Sequence, residues 1–133
     1  MDNNYDNQDY RNENIAKYLI KKGADISTKS YDGSISLHCA CGAKKENVNL
    51  VKYLIADIGL NIRVKDNYGK TSLHYVYINI QDKYGKAPLH YACYKENRNI
   101  IKYLIEKGAN KNLIDDNRFT PLFYIQKKIK ECI

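Results

Sequence analysis

The sequence predicts an all-α solenoid, in which similar helical units stack side by side, and two recurring patterns support this prediction. The pattern Asn-x-Asn-x-x-Lys-Tyr-Leu-Ile occurs three times, at residues 12–20, 47–55 and 97–105. The pattern Asp-x-Tyr-Gly-Lys-x-x-Leu-His-Tyr occurs twice, at residues 66–75 and 82–91. Such self-similarity indicates a stacked array, which offers a long open surface and no obvious place for a catalytic cleft.

Length and composition fit one domain with a core. The chain has 133 residues, 44% of them hydrophobic, and a formal net charge of +7. A basic surface can attract acidic protein, nucleic acid or anionic membrane, but here Lys is spread among Asp and Glu along the repeats, which favours solvated helix faces. No signal peptide opens the chain, and no apolar run approaches membrane-spanning length. We therefore expect an intracellular protein of the cytoplasm or the nucleus, with free thiols and no membrane contact.

The N-terminal part is predicted to hold a mobile segment followed by a lone helix. Residues 1–11 are rich in Asn and Asp and lack helical apolar spacing, so we expect them to be disordered. A helix is predicted from Asn14, and Gly23 is expected to end it. The apolar stripe of this helix consists of Ile15, Tyr18 and Leu19.

Residues 30–65 are predicted to form a complete unit. A tight turn at Asp32–Gly33 is followed by a first helix, from about Ser36 to Gly42. A second helix is predicted from about Val48 to Ala56, and Gly59 is expected to stop it.

The leucine spacing shows that one unit is shortened. Leu37, Leu73, Leu89 and Leu122 are separated by intervals of 36, 16 and 33 residues. Half of one unit is therefore missing. The predicted array comprises a partial unit (12–29), a full unit (30–65), a half unit (66–81), a full unit (82–114) and a partial unit (115–133).

The half unit poses a geometric problem. A helix from about Thr71 to Ile78 would be ~12 Å long at ~1.5 Å per residue, and the residues 79–82 span at most ~14 Å. The helix should therefore shorten or give way to an irregular loop, and Leu73 and Val76 should lose a covering helix, which forfeits roughly 3–6 kcal/mol of burial. Either the array bends and the second helix of the preceding unit covers the gap, or the chain has a weak joint here.

The sequence resembles the ankyrin repeat family, and the motif that carries the resemblance recurs over a 33-residue period. It runs Asp82-x-x-Gly85-x-Ala87-Pro88-Leu89-His90-x-Ala92-Cys93 and continues as Ile100-Ile101-x-x-Leu104-Ile105-x-x-Gly108-Ala109-Asn110. The resemblance implies an ankyrin-repeat solenoid, in which each unit is a β-turn finger plus two antiparallel helices.

The chain departs from the family pattern at several positions. In the family a Thr hydroxyl bonds the following His, and here only Thr71 and His74 could form that pair, whereas His38 and His90 are expected to bond backbone. The first unit supplies only its second helix and the last only its first. Leu122 and Ile125 therefore lack a following partner, and we expect exposed apolar edges that allow self-association or continue into a longer array.

Candidate chemical sites are weak. His38-Cys39-Ala40-Cys41 lacks the spacing of a standard zinc site, and no third residue is placed to orient a Cys–His nucleophile pair. We interpret Cys41 and Cys93 as buried structural thiols, and Tyr18, Tyr53 and Tyr103 as packing residues. No catalytic residue, metal site or cofactor is predicted, and the chain is not expected to be an enzyme.

The resemblance implies a non-enzymatic protein–protein interaction module that binds through finger tips and first helices. Its partner is an unidentified protein, with an acidic one favoured by the lysines. The expected partner-binding residues are Tyr31, Asp32, Ser34, Asn67, Tyr68, Lys70, Lys83, Tyr84, Lys86, Tyr94, Lys95, Asp116 and Asn117. Two alternatives remain: a basic nucleic-acid-binding surface, which we disfavour, and a non-autonomous fragment of a larger ankyrin scaffold.

Overall fold

The computed structural model describes the backbone of residues 4–61, except 24, 26 and 27, and of residues 76–131, with side chains described within 13–56 and 76–127. Six helices have both ends within these residues: α1 (Asn4–Lys21), α2 (Ser36–Cys41), α3 (Val48–Asn61), α4 (Pro88–Tyr94), α5 (Arg98–Glu106) and α6 (Pro121–Glu131). Residues 76–78 are also helical, and no strand occurs in the described ranges. None of the described helices combines the length and the apolar character that a membrane-spanning helix needs.

The helices form two layers. α2, α4 and α6 are first helices and pack in a row, while the second helices α1, α3 and α5 form the row behind them. Within units, α2 pairs with α3 and α4 with α5. Between the rows lies one core of buried side chains, to which Leu37, Val51, Leu89, Ile100 and Leu104 contribute. The predicted all-helical stack is confirmed.

The first helix differs from the prediction in two ways. It begins at Asn4 rather than at Asn14, so the backbone of residues 4–11 is helical where we expected a disordered segment. These residues carry no apolar stripe, so their helical form depends on backbone hydrogen bonds that continue from the packed helical turns that follow. Their mobility in solution stays a prediction. The expected stripe also fails to pack: α1 contacts α3, but Tyr18 stays 61% exposed, whereas Ile20 is buried.

The first complete unit agrees with the prediction except at one end. α2 occupies the predicted positions, and Val51, Leu54 and Ile55 of α3 are buried as the repeat pattern requires. The predicted stop at Gly59 is wrong, because α3 continues to Asn61. Glycine permits a left-handed helix end but does not impose one, and inside a helix it costs only about 1 kcal/mol relative to alanine.

Within the described residues, three turns, which we call fingers, project beside the first helices at residues 30–35, 82–87 and 115–120. Gly85 lies in the left-handed region, at φ 77°, and a Cβ added there would lie 2.8 Å from the Asp116 nitrogen of the next finger. Glycine is therefore required both for the turn and for the close approach of the fingers. Arg118 takes the equivalent place in the third finger at φ 68°, and no described finger follows it.

The fingers that flank the predicted half unit are direct neighbours. The Lys83 nitrogen donates to the Asp32 carbonyl at 2.8 Å, and in the next joint the Asp116 nitrogen donates to the Tyr84 carbonyl at 2.9 Å. The units 30–61 and 82–114 therefore stack with the same register as two consecutive repeats. This agrees with the interpretation in which the second helix of the preceding unit covers the gap, since α3 packs directly on α5.

The rest of the half unit is described only from residue 76 onwards, so Leu73 and the predicted helix start at Thr71 lie outside the described residues. Val76 is 55% exposed, as expected for a residue without a covering helix. Tyr77 and Ile78 are buried, and Asn79 accepts a 2.7 Å hydrogen bond from the Asn110 nitrogen. Residues 76–81 therefore dock as a connector that leads into the second finger.

The predicted exposure of the C-terminal edge is confirmed at Leu122 but not at Ile125. Leu122 is 53% exposed, while Ile125 is partly buried against the core. Tyr53 and Tyr103 also pack against the core, which confirms their interpretation as packing residues, but Tyr18 does not. The first and last helices thus leave apolar side chains uncovered at both ends of the described stack.

Candidate protein-binding groove

A groove of about 380 Å³ opens on the layer of first helices, beside the second finger. Three tyrosines, two lysines, a histidine and a glycine line it: Tyr91, Tyr94, Tyr124, Lys86, Lys95, His90 and Gly42. A smaller cavity of about 200 Å³ shares Gly42 and Tyr91 with this groove and continues towards the first finger. We call the surface formed by the two cavities the concave face. We call the larger cavity the tyrosine groove.

Two of the groove tyrosines are tied to the fingers by carboxylates. The Asp82 Oδ1 atom accepts hydrogen bonds from the backbone nitrogens of Tyr84 and Lys86, at 3.0 and 2.9 Å, while Oδ2 accepts from the Tyr91 hydroxyl. Burial and this carboxylate both raise the pKa of Tyr91, so its hydroxyl stays protonated and continues to donate. The ring is therefore held between a finger and α4.

The same arrangement recurs one unit later. The Asp115 Oδ1 atom accepts from the backbone nitrogens of Asn117 and Phe119, at 2.9 and 3.0 Å, and Oδ2 accepts from the Tyr124 hydroxyl. Burial alone would raise the pKa of Asp115, but the hydrogen bonds from Tyr124, Phe119 and Asn117 outweigh it and lower the pKa. The charged carboxylate thus fixes the third finger and the ring together.

Lysine ammonium groups lie over the tyrosine rings. The Lys86 nitrogen is 5.8 Å from the centre of the Tyr91 ring and 5.6 Å from that of Tyr124, so it sits between the two. Lys95 lies 5.6 Å from the centre of the Tyr94 ring, which meets the Tyr124 ring edge-on at 6.0 Å. Cations at these distances are attracted by the ring faces. The groove therefore combines aromatic walls with two positive charges.

The finger tips carry a second aromatic group. Tyr31 is 99% exposed and Tyr84 is 48% exposed. Lys83 lies between them, with its ammonium nitrogen 5.5 Å from the Tyr31 ring centre and 5.4 Å from that of Tyr84. These three residues from two adjacent fingers form one cluster at the rim of the concave face.

Asp32 and Ser34, also predicted to bind a partner, close the first finger. The Asp32 carboxylate accepts hydrogen bonds from the Ser30 hydroxyl and from the nitrogen and hydroxyl of Ser34. The bond from Ser30, followed by those from Ser34, lowers the pKa of Asp32 to about 2. These side chains therefore stabilise the turn of the first finger, and both also line the smaller cavity.

The remaining predicted residues divide into two groups. Asp116 and Asn117 are exposed in the third finger, where their backbone nitrogens are hydrogen-bonded to Tyr84 and Asp115. Asn67, Tyr68 and Lys70 lie outside the described residues.

Sequence reasoning missed Tyr91 and Tyr124, although a signal for them exists. In both cases a tyrosine follows the first aspartate of a finger by nine residues, as in Asp82 with Tyr91 and Asp115 with Tyr124. A carboxylate and a phenol that recur at one spacing in consecutive units indicate a repeated hydrogen bond.

His38 and His90, the histidines within the described residues, link one unit to the next. The Nδ1 atom of His38 accepts from the Ile35 nitrogen at 3.1 Å, so the proton is on Nε2, which donates to the Lys86 carbonyl at 2.9 Å. His90 repeats this with the Ala87 nitrogen and the Phe119 carbonyl, both at 3.0 Å. Burial lowers the pKa of both histidines. Their bonding to backbone is confirmed, and neither ring has a nitrogen left to act as a base.

The predicted burial of Cys41 and Cys93 is confirmed. Cys41 and Cys93 are buried free thiols, whereas Cys39 is exposed. Burial raises the pKa of both buried thiols, that of Cys93 to about 11, which makes them poor nucleophiles. Within the described part of the chain, no three His, Cys, Asp or Glu side chains are arranged to hold a metal ion.

Comparisons with known proteins agree with this architecture. A family model described as ankyrin repeats in three copies matches residues 7–79 and 76–133. An ankyrin repeat protein of Acanthamoeba polyphaga mimivirus is 32% identical over 93 residues, which are 70% of this chain. The chain spans about a tenth of the length of that relative, since the matched region is 10% of it.

Proposed function

This chain belongs to the ankyrin repeat family, whose members generally mediate protein–protein interaction, and we propose that it is a non-enzymatic module that binds an acidic segment of a partner protein in the tyrosine groove. The finger-tip cluster of Tyr31, Lys83 and Tyr84 would extend the contact along the concave face. We further propose a reducing compartment as its site of action, because Cys41 and Cys93 are buried as free thiols.

The observation that carries this proposal is the fixed position of the groove tyrosines. Tyr91 and Tyr124 are held by the Asp82 and Asp115 carboxylates before any partner arrives. Side chains that are already ordered lose little entropy on binding, so their buried area contributes more to affinity. Tyrosines in a central pocket are also typical energetic anchors of interfaces.

Charge supports an acidic partner. Lys83, Lys86 and Lys95 lie on or beside the groove, and the chain as a whole carries a formal net charge of +7. The Asp82 and Asp115 carboxylates keep their negative charge, but each is occupied by three hydrogen bonds from its own finger and from a groove tyrosine. Electrostatic steering should therefore accelerate the encounter with a negatively charged peptide.

Peptide selection tests the proposal directly. Random peptides are selected on the immobilised chain, and the affinity of the enriched peptides is compared between the wild type and the double variant Tyr94→Ala with Lys95→Ala. We expect enrichment of Asp and Glu, and a roughly tenfold or greater loss of affinity in the double variant, because an aromatic anchor and a charge are removed. Calorimetry gives both dissociation constants.

Tyr18→Ala is the matched control, since this exposed tyrosine lies on the other helix layer. It should leave peptide affinity within about twofold of the wild type, a change well below 1 kcal/mol. Equal losses in the control and the groove variant would refute the groove as the binding site. Selection of no peptide, together with oligonucleotide binding that weakens steeply with salt, would favour the nucleic-acid alternative instead.

A further inference from the structure

The exposed face of α1 corresponds to a face that is fully buried elsewhere in the same chain. By the repeat pattern, Ile15 and Leu19 are equivalent to Ile100 and Leu104 of α5. Ile100 and Leu104 are 0% exposed, in a core cluster to which α4 contributes, whereas Ile15 is 57% and Leu19 is 50% exposed. Among the described residues, no first helix lies beside α1 as α4 lies beside α5.

The opposite end shows the complementary deficiency. Leu122 of α6 is equivalent to Leu89 of α4, which is 2% exposed in its unit, yet Leu122 is 53% exposed. Ile105 of α5 is 42% exposed, whereas its equivalent Ile55 of α3 is 1% exposed with α5 packed beside α3. In the described part of the chain, no second helix lies beside α6 as α5 lies beside α4.

We propose that two copies of this chain associate head to tail, with α6 of one copy packed against α1 of the next as α4 packs against α5. α6 is a first helix that needs a second helix, and α1 is a second helix that needs a first. The joint covers Ile15 and Leu19 on one copy and Leu122 and Ile105 on the other. Apolar surface of this kind is otherwise left in water at both ends.

Charge along the two helices favours this pairing. α4 and α5 are joined by three residues, 95–97, and run in opposite directions, so an equivalent pair places the end of α6 beside the start of α1. The sequence at the start of α1 has Asp6 and Asp9 against Arg11, while Glu13 is buried and paired with Lys17 at 3.3 Å. The sequence at the end of α6 has Lys127, Lys128 and Lys130 against Glu131, so the two ends carry opposite net charges. Opposite charges at the two ends attract one another and set the direction of the joint.

The proposed interface uses two different surfaces, so each added copy leaves a fresh face at either end. The expected behaviour is therefore open-ended growth with concentration rather than a closed dimer. This association does not depend on a partner in the tyrosine groove, and the two proposals can fail separately.

Sedimentation equilibrium of the full chain, from micromolar to millimolar concentration, tests the proposal. We expect the average mass to rise above the 15.5 kDa of the monomer and past that of a dimer. Leu19→Asp and Leu122→Asp, which place a charge on one face each, should both remain monomeric when measured alone. An equimolar mixture of the two variants should form a dimer and stop there, because only one pair of intact faces remains.

Circular dichroism establishes that both variants stay folded, and Val76→Asp is the matched control for adding a charge at an exposed aliphatic residue away from both ends. This control should self-associate like the wild type. A wild type that stays monomeric throughout would overturn the proposal, and the exposed faces would then suit another partner. Dimers formed by either blocked variant alone would also overturn it, since they would show a symmetric contact.

Discussion

The first and second fingers occupy equivalent places in the stack, yet they are closed in different ways. In the second finger, Asp82 accepts two backbone hydrogen bonds from its own turn and a third from Tyr91 on α4. In the first finger, Ser30 stands where Asp82 would be and Cys39 stands where Tyr91 would be. The carboxylate of the first finger belongs instead to Asp32, two positions later, and it accepts hydrogen bonds from Ser30 and Ser34 of the same turn.

The difference shows that a turn can keep its shape without being tied to the helix behind it. Both fingers have a glycine in the left-handed region, and both pair with the next finger through a backbone hydrogen bond. Of the three described fingers, only the second and third also hold a groove tyrosine in place. The tyrosine groove therefore lies beside the two fingers whose aspartates bond a tyrosine of the helix behind them.

The largest expected effect on stability comes from removing the Asp82 carboxylate, which bonds both the second finger and Tyr91. Asp82→Ala should lower the free energy of unfolding by about 3 kcal/mol, because three donors lose a charged acceptor in a partly buried setting. Asp32→Ala, in the exposed and self-closed finger, should produce a much smaller change. Urea denaturation followed by circular dichroism measures both, and equal losses would contradict the distinction between the two fingers.

A smaller effect is expected where the second finger meets the third. Gly85→Ala and Gly23→Ala both place a side chain at positive φ, 77° and 98° respectively, and so share the backbone strain. Only at Gly85 would the new Cβ press on the Asp116 nitrogen, while nothing lies within 4 Å at Gly23. Gly85→Ala should therefore destabilise by about 2 kcal/mol more than Gly23→Ala.

The same urea titrations test this pair. Equal destabilisation by the two substitutions would mean that the second and third fingers are not in close contact in solution.

The smallest expected effect concerns the histidines that link both finger joints. Burial lowers the pKa of His38 and His90 below 6.5, so the unfolded chain binds protons at these rings more readily than the folded chain does. The free energy of unfolding should therefore fall as pH falls from 6.5 through the lower pKa of the folded state. Asp32 and Asp115, whose pKa values are lowered from 3.8, contribute only in more acidic solution.

Urea titrations at about pH 7 and about pH 5 measure this dependence. His90→Asn, which can both donate and accept but does not titrate, should reduce the slope. A stability that stays constant between these two pH values would contradict the lowered pKa values of the two rings.

The sequence predicted the local elements well, because their determinants lie close together along the chain. The turn at Gly33 and the helix from Ser36 to Cys41 follow from residues within one unit. The buried positions of Cys41 and Cys93 follow from their equivalent places in two repeats. Short-range signals of this kind need no knowledge of neighbours.

The parts that sequence could not predict depend on which unit lies next to which. Ile15 and Ile100 share one pattern, but only the latter has α4 beside it, and their exposures differ accordingly. The direct pairing of the first finger with the second also depends on how the two units pack against each other, which local sequence does not encode. In the candidate site, Lys86, Tyr94 and Lys95 belong to the predicted partner-binding set and line the groove, and their part in binding stays a prediction. Tyr91 and Tyr124 emerged only from their bonds to the fingers.

Arg118 has a consequence for how far a row of fingers can extend. It stands where Gly85 lets the neighbouring turn come within contact distance, so its side chain would hold a fourth turn away. Copies joined through their helices would for this reason keep their fingers apart at each boundary. A polymer of this chain would then present one separate concave face per copy, each able to bind its own peptide, rather than one continuous binding surface.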